Sequence, residues 1–403
     1  MFKSILFSIL VSILLTLSAY SQWRVINSNI GVDIKAIVKV NDGLMVATNG
    51  NGLYYSSNNE NNWVQKNAGL TNLKVYCLDV DGNKVVAGTR GNGVYISKDG
   101  GNSWSATAGG ITVPHIYSIG LFGSTIIAGT GGGGIFRSSD EGKSWKFDGG
   151  NNYIVSVIKR FNDHAYIGQG TYAYRSTDNG QTWQNYIQHA PSSVMAFAES
   201  YTQNGNKNVI LGTLDGIYVS TDDGKSWKLV QNGQCNGLTS IENIVFVGFE
   251  NTFTGMATAY SVDNGMTWKA CDEGLPVQIN VRAITSDKEY VYIGTGDGVV
   301  WKRKLSDFGI SSVSNLQEVN NLEIYPNPAN DNVRLSWQMD IDDNVEIILY
   351  NHLGQRILTL LNEFRNQGKN EIYFDTKILN SGTYFVKLIT GSKFKVEKIN
   401  IIK

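Results

Sequence analysis

Proline is scarce in this chain, with 5 residues among 403, and cysteine is scarcer still, with 3. So few prolines beside 44 glycines exclude a proline-stiffened linker protein and indicate many tight turns between strands. Cys77, Cys235 and Cys271 are an odd set, which excludes a disulfide scaffold. Two readings stay open: a Cys235–Cys271 bridge, or three separate buried thiols. With no Cys-x-x-Cys and no Cys/His cluster, no metal site is expected. A surplus of one charge is missing too. Lys and Arg number 34 against 35 Asp and Glu, for a net charge of −1, so no basic field exists to hold nucleic acid or an anionic membrane surface. Charged residues are 17% against 42% hydrophobic, which excludes a disordered chain and leaves material for a sizeable core.

One apolar run exists, at 4–19. Lys3 precedes it and Ala19-Tyr20-Ser21 follows as a small-x-small cleavage signal. The run is short for a membrane span. It reads as a secretory leader, residues 1–21, cut before Gln22. No cysteine stands at the cut, which argues against a lipid anchor, and no transmembrane segment is expected.

A repeat dominates the rest. It reads Ser-x-Asp-x-Gly-x-Ser/Thr-Trp. Clean copies hold Asp99 with Trp104, Asp140 with Trp145, Asp178 with Trp183, Asp222 with Trp227, and Asp263 with Trp268. A decayed copy runs over 56–63 with Asn58 in the Asp slot, and a lone Trp23 opens the mature chain. Successive tryptophans, from Trp23 through Trp63 to Trp268, lie 40, 41, 41, 38, 44 and 41 residues apart. A period near 41 with strand-like content is that of a four-stranded propeller blade. In the second unit the strands are expected at 75–80, 84–88, 93–97 and 104–107. Matching second strands end at Gly in the other units, as at 125–129 and 290–294.

The box has a physical logic. Its Asp side chain accepts from backbone N–H groups of the hairpin between third and fourth strands. The Gly two residues on supplies a positive φ, the Ser hydroxyl ties the turn, and the Trp folds back between blades. Counting gives seven blades. The last unit lacks a box after Trp301, where Lys302 and Lys304 stand in the Ser and Asp slots. Its fourth strand is therefore expected from 23–27, a clasp that closes the ring.

These boxes resemble the BNR (bacterial neuraminidase) or Asp-box family over roughly 23–305. The resemblance implies an all-β, seven-bladed propeller at 22–305. The same box occurs in sialidases, xyloglucan-cleaving glycosidases, sortilin-type receptors and photosystem assembly factors, so it implies fold and not activity.

Residues 306–321 read as a linker. From 322 the composition shifts: Asx, Lys and Ile rise and glycine falls. Tyr325-Pro-Asn-Pro, Leu349-Tyr-Asn-His-Leu-Gly-Gln and Ser381-Gly-Thr-Tyr-Phe-Val-Lys mark short alternating strands, including 332–337 and 345–350, of a small Ig-like β-sandwich. This stretch resembles the type IX secretion C-terminal sorting domain. That resemblance implies handling by the type IX machinery, secreted or outer-surface location in a Gram-negative bacterium, and removal of the domain.

The glycine-rich stretches 88–93 and 129–134 look like phosphate loops, but they join two strands with no helix following and read as hairpin turns. The boxes' Asp-x-Gly cores lack the acidic spacing of a calcium loop. No cofactor is expected. Box turns occupy one face of the disc, so ligands belong on the other, where loops lead into the inner strand and join strands two and three. Candidate ligand-binding residues there are Lys35, Arg90, His115, Tyr117, Tyr153, His189 and Arg282, with Asp33, Asp215, Glu250 and Asp297 nearby. Lys35, Tyr76, Tyr117 and Arg282 align at one inner-strand slot; Ala36, Cys77, Ser118, Ser156, Ala196 and Ala283 at the next. Tyr172, Tyr174 and Tyr186 with His189 form an aromatic cluster suited to sugar stacking or to strand packing. The loop over 249–258 is unlike its counterparts.

No catalytic residue can be assigned. Sialidase chemistry needs an arginine cluster, yet no Arg is followed by Ile-Pro. Glycosidase chemistry needs two carboxylates at set separation, for which Asp33 and Asp297 are the candidates. The leading expectation is a monomeric, non-catalytic propeller binding a glycan or protein; the alternative is a glycoside hydrolase.

Overall fold

The structure is a computed structural model that describes residues 22–309 and 322–403, except 28–29, 58–61, 151–152, 162–163, 203–205, 242, 251–254, 340–341, 352–355 and 391–392. The leader, Asn58 of the decayed box, much of the 249–258 loop and the end of Leu349-Tyr-Asn-His-Leu-Gly-Gln lie outside the described residues.

Seven antiparallel four-stranded sheets make up the first unit. Their inner strands are Ile34–Val40, Val75–Asp81, Ile116–Phe122, Val155–Arg160, Val194–Tyr201, Cys235–Ile241 and Val281–Ser286, in blades 1 to 7. In six blades the strand order follows the chain. In blade 7 the fourth strand is Arg24–Asn27, paired antiparallel with Val300–Lys304. The expected clasp is therefore present. Second strands are nearly all buried, as in Lys84–Thr89 and Thr125–Thr130, because each blade is covered on both faces by its neighbours.

The glycine one residue before the end of these strands serves that stacking. A Cβ on Gly88 would lie 2.5 Å from Ile116 of the next blade, and one on Gly294 equally close to Ile34 across the ring closure. Only glycine lets adjacent sheets approach this far.

Each box locks its own hairpin. The Asp99 carboxylate accepts from Ser97 Oγ at 2.7 Å, Ser103 N at 2.9 Å and Ser103 Oγ at 2.6 Å, while Ser97 Oγ accepts from Gly101 N at 2.8 Å. Asp140, Asp178, Asp222 and Asp263 repeat this set. The positive φ extends one residue earlier than expected: besides the box glycines, Glu141, Asn179, Asp223 and Asn264 take φ of 57–59°. Asn and Asp tolerate this region best among residues with a Cβ.

The tryptophans are clamps of unequal strength. Indole Nε of Trp63, Trp104 and Trp145 donates to Ile26 O, Lys66 O and Thr107 Oγ1 on the preceding blade. Trp227 bonds only Gly224 O of its own box. Trp183, Trp227 and Trp268 are half-buried.

All three cysteines are free thiols, which removes the Cys235–Cys271 bridge. Cys235 begins the innermost strand of blade 6, whereas Cys271 follows its outermost, Lys269–Ala270. Three inter-strand spacings separate them by roughly 14 Å, beyond disulfide reach.

The first compact unit runs to Gly309. A 3-10 turn, Leu305–Phe308, seats Phe308 on Phe246 and Tyr260 of blade 6 at ring distances of 4.8 Å. The second unit is a β-sandwich. One sheet joins Glu323–Tyr325, Asn332–Met339 and Gly368–Asp375; the other joins Arg356–Arg365, Asp343–Asn351, Gly382–Thr390 and Lys393–Ile401. Alternating Val333, Leu335, Trp337 and Val345, Ile347, Leu349 fill its core. Among the described residues no helix is long and apolar enough to cross a membrane.

Candidate functional site

All seven inner strands break register at their second residue, a β-bulge repeated around the ring. The bulged residues are Lys35, Tyr76, Tyr117, Ser156, Met195, Asn236 and Arg282. A bulge re-aims its side chain and ends regular pairing, and here it does so once in each blade, with the bulged Lys35, Met195, Asn236 and Arg282 lining one axial cavity of about 330 Å³. Every one of these residues is partly exposed. The sequence placed four of them together correctly. Ser156 was assigned to the following slot; the register puts Val157 there, opposite Gly168, and Ser156 on the bulge. Val155 and Val157 flank Ser156 with the same residue, so the sequence alone leaves the position of the bulge open.

One arc of this ring is polar and continuous. Asn236 donates to Glu250 at 3.1 Å, and Glu250 is paired with Arg282. Arg282 Nε faces Asp33 Oδ1 at 3.6 Å, too long for a hydrogen bond, and neither atom has another partner. Lys35 pairs with Asp33 at 2.5 Å and lies 5.3 Å from the Tyr76 ring centroid. Arg90 covers the same ring at 5.6 Å and donates to its hydroxyl at 2.9 Å. Tyr76 meets Tyr117 edge-on at 5.7 Å, and Arg90 forms a backbone bridge with His115. The structure thus brings Lys35, Arg90, His115, Tyr117 and Arg282 into one chain of contacts over blades 6, 7, 1, 2 and 3.

Tyr153 and His189 belong to a second group. Tyr153, 52% exposed, lies 6.1 Å from Tyr172, which lies 5.5 Å from His189. Of the two roles open to the aromatic cluster, strand packing holds for Tyr174 and Tyr186. Tyr174 packs into the blade 3–4 interface beside Trp183, and Tyr186 packs on Tyr166 and Trp227 between blades 4 and 5. Both side chains face neighbouring sheets, as alternation along a doubly covered blade requires.

The carboxylates are all engaged. Besides Asp33 and Glu250, Asp215 accepts from Thr213 Oγ1 and from Tyr218 at 3.3 Å, and Asp297 accepts from Thr295 Oγ1. A threonine signal went unnoticed in the sequence: Thr48, Thr89, Thr130, Thr213 and Thr295 each end a second strand and donate across the following loop. The glycine-rich stretch 131–134 is such a loop, as expected. No metal-ligating cluster occurs among the described residues.

At the box-face end of the cavity Asp79 accepts from Leu121 N at 2.7 Å and Val80 N at 2.9 Å. Burial holds its carboxyl above the usual range and holds the Lys159 amine below its own.

Seven such blades define a β-propeller of BNR/Asp-box repeats. The BNR/Asp-box repeat family matches residues 174–185 and 218–229, and the secretion system C-terminal sorting domain family matches 323–403. The chain is an Asp-box propeller carrying a type IX sorting domain, which implies a secreted or outer-surface protein handled by the type IX secretion machinery. No curated protein matches it in sequence. Among solved structures it is similar to YCF48 bound to D1 peptide, at 18% identity and TM-score 0.56, covering 71% of this chain and 97% of that one. It is similar to PorZ, a surface component of the type IX secretion system of Porphyromonas gingivalis, at 15% and 0.51, covering 92% of this chain and 59% of that one. A GH74 xyloglucanase from Xanthomonas campestris aligns at 14% and 0.55, covering 79% and 60%. Identities this low speak for the fold alone.

Proposed function

We propose that the mature protein is an exported, non-catalytic binding propeller that takes a polypeptide on its loop face. The observation that carries this is the composition around the cavity mouth. Lys35 and Arg282 line the cavity, Tyr76, Arg90 and Tyr117 continue from Lys35 in one chain of contacts, and Leu73, Tyr153, Ile154 and Leu214 are exposed in loops of the same face. Tyrosine and arginine with scattered aliphatics are the make-up of protein interfaces. YCF48, a propeller of similar fold, has been captured with a peptide.

The carboxylates favour binding over hydrolysis. A glycosidase needs one free acid and one free base or nucleophile. Asp33 is neutralised by Lys35, Glu250 by Arg282, and Asp297 is tied to its own turn. A second reading, a saccharide stacked on Tyr153, Tyr172 and His189, draws on their adjacent rings. Cleavage of the leader before Gln22 suits the clasp, since Trp23 is seated immediately after the cut.

The test is to probe the 22–403 chain against immobilised random 15-residue peptides and a glycan array, with polysaccharide hydrolysis assayed in parallel. Peptide capture lost in Tyr76→Ala/Tyr117→Ala supports the reading. Glycan capture lost in Tyr153→Ala supports the second one, and turnover lost in Asp33→Ala overturns both.

A further inference from the structure

The charges on the loop face are sorted by side. Within the mouth they cancel, Lys35 against Asp33 and Arg282 against Glu250. Among the described residues the remaining cations are Lys74 and Arg90, both exposed and both on blade 2, since Lys66 is turned to Asn102 of a box. They are held together: Arg90 N donates to Lys74 O at 2.9 Å, and the Arg90 guanidinium is set by Tyr76. The remaining anions lie on blades 5, 6 and 7, two or three blades from blade 2 around the ring. Asp215 is on blade 5, Asp272 follows the outer strand of blade 6, and Asp297 is on blade 7. Asp215 and Asp297 are exposed; Asp272 is fixed by Ala257 N and Thr258 N at 3.1 and 2.6 Å. Blades 3 and 4 present no carboxylate and no Lys or Arg in their described loop-face segments. The tyrosines and exposed aliphatics lie between and beside the two groups.

Resting on the polypeptide reading, we propose that the ligand is an extended segment of opposite charge at its two ends. It crosses the cavity mouth with acidic residues over Lys74 and Arg90 of blade 2, and basic residues over Asp215, Asp272 and Asp297 of blades 5 to 7. A dipolar surface selects such a segment by sign at both ends, repels the reversed placement, and gains avidity from engaging both ends at once.

The experiment uses the 22–403 chain and three labelled peptides: an all-Glu pentapeptide, an all-Lys pentapeptide, and the two joined by Gly-Ser linkers of about 4–12 residues. Anisotropy at low salt should show the best joined peptide binding at least about 10-fold tighter than either half. Lys74→Glu/Arg90→Glu should abolish Glu-peptide binding and leave Lys-peptide binding, and Asp215→Lys/Asp297→Lys should do the converse. The milder Lys74→Gln/Arg90→Gln pair covers the case in which reversal disturbs folding. Joined peptides binding no tighter than their halves, or a sign response opposite to this, overturns the proposal. Absence of charged-peptide binding beside Tyr76-dependent capture of random peptides overturns the dipolar ligand and leaves the polypeptide reading standing. Absence of both removes the two together.

Discussion

The indole nitrogen of Trp23 donates to the carbonyl oxygen of Cys271 at 2.7 Å across 248 residues of sequence. Trp23 N also donates to Glu273 O at 2.8 Å, and Arg303 donates to the same Cys271 oxygen at 2.9 Å. This is the Trp63–Ile26 and Trp104–Lys66 clamp repeated where the chain's two ends meet. The ring is tied at its closing blade by the same indole contact that Trp63, Trp104 and Trp145 make to their preceding blades.

Trp23 is 2% exposed, so Trp23→Ala should cost about 3–5 kcal/mol. Deleting 22–28 should cost more, leaving Val300–Lys304 as a raw edge. Urea unfolding of the propeller measures both, and an unchanged midpoint counts against the clasp.

Box aspartates make stability acid-sensitive. Bonds from Ser103 and Ser97 hold Asp99 down to about 2, and bonds from Ser226 and Ser220 do the same for Asp222. A depressed folded pKa contributes stability above the ordinary value near 3.8, lost as pH falls toward about 2. The propeller's melting temperature should drop steeply across that window. Asp99→Asn with Asp222→Asn should lower it at pH 7 and flatten the drop.

Glu199 joins blades 4 and 5. It is 3% exposed and meets His164 at 2.7 Å, Tyr166 at 2.9 Å, Lys207 at 3.1 Å and Tyr201 at 3.1 Å. Burial alone would raise its carboxyl, but His164 and Lys207 outweigh that and hold it below the usual range. Glu199→Ala should cost about 3–5 kcal/mol by leaving Lys207 and His164 without their carboxylate, read by chemical denaturation.

Burial pushes the Cys235 and Cys271 thiols up to about 12 and raises Cys77 as well. Thiolate reacts and thiol does not. Native protein should therefore resist alkylation at all three, denatured protein should take three labels without reductant, and a disulfide would show as two missing labels.

Much of this was legible because a repeat states its rule several times. Seven tryptophans and five boxes gave the blade count, and the missing box after Trp301 gave the clasp. Lys35, Tyr76, Tyr117 and Arg282 aligned because each directly follows a buried β-branched residue, Ile34, Val75, Ile116 or Val281, that opens its inner strand. Ser156 slipped because Val155 and Val157 flank it with the same residue. The sequence left Tyr172, Tyr174 and Tyr186 open between sugar stacking and strand packing, because an aromatic on a blade covered on both faces looks, in sequence, like one beside a ligand; Tyr174 and Tyr186 take the packing role. The left-handed Glu141 was missed because glutamate does not announce a positive φ. The pairing of Glu250 with Arg282 joins different blades, and no spacing within a repeat encodes it.

The claim on which function rests is that recognition occurs at the ring of bulged side chains. Capture of random 15-residue peptides by the 22–403 chain should be compared with two variants of equal melting temperature: Tyr76→Ala/Tyr117→Ala on the loop face, and Lys143→Ala/Lys225→Ala among the box turns. The account predicts that peptides held by the unaltered protein lose at least about 10-fold in affinity, or about 1.4 kcal/mol, in the tyrosine variant and none in the lysine variant. Capture that survives loss of both tyrosines and vanishes with the two lysines would place the ligand on the opposite face and contradict it.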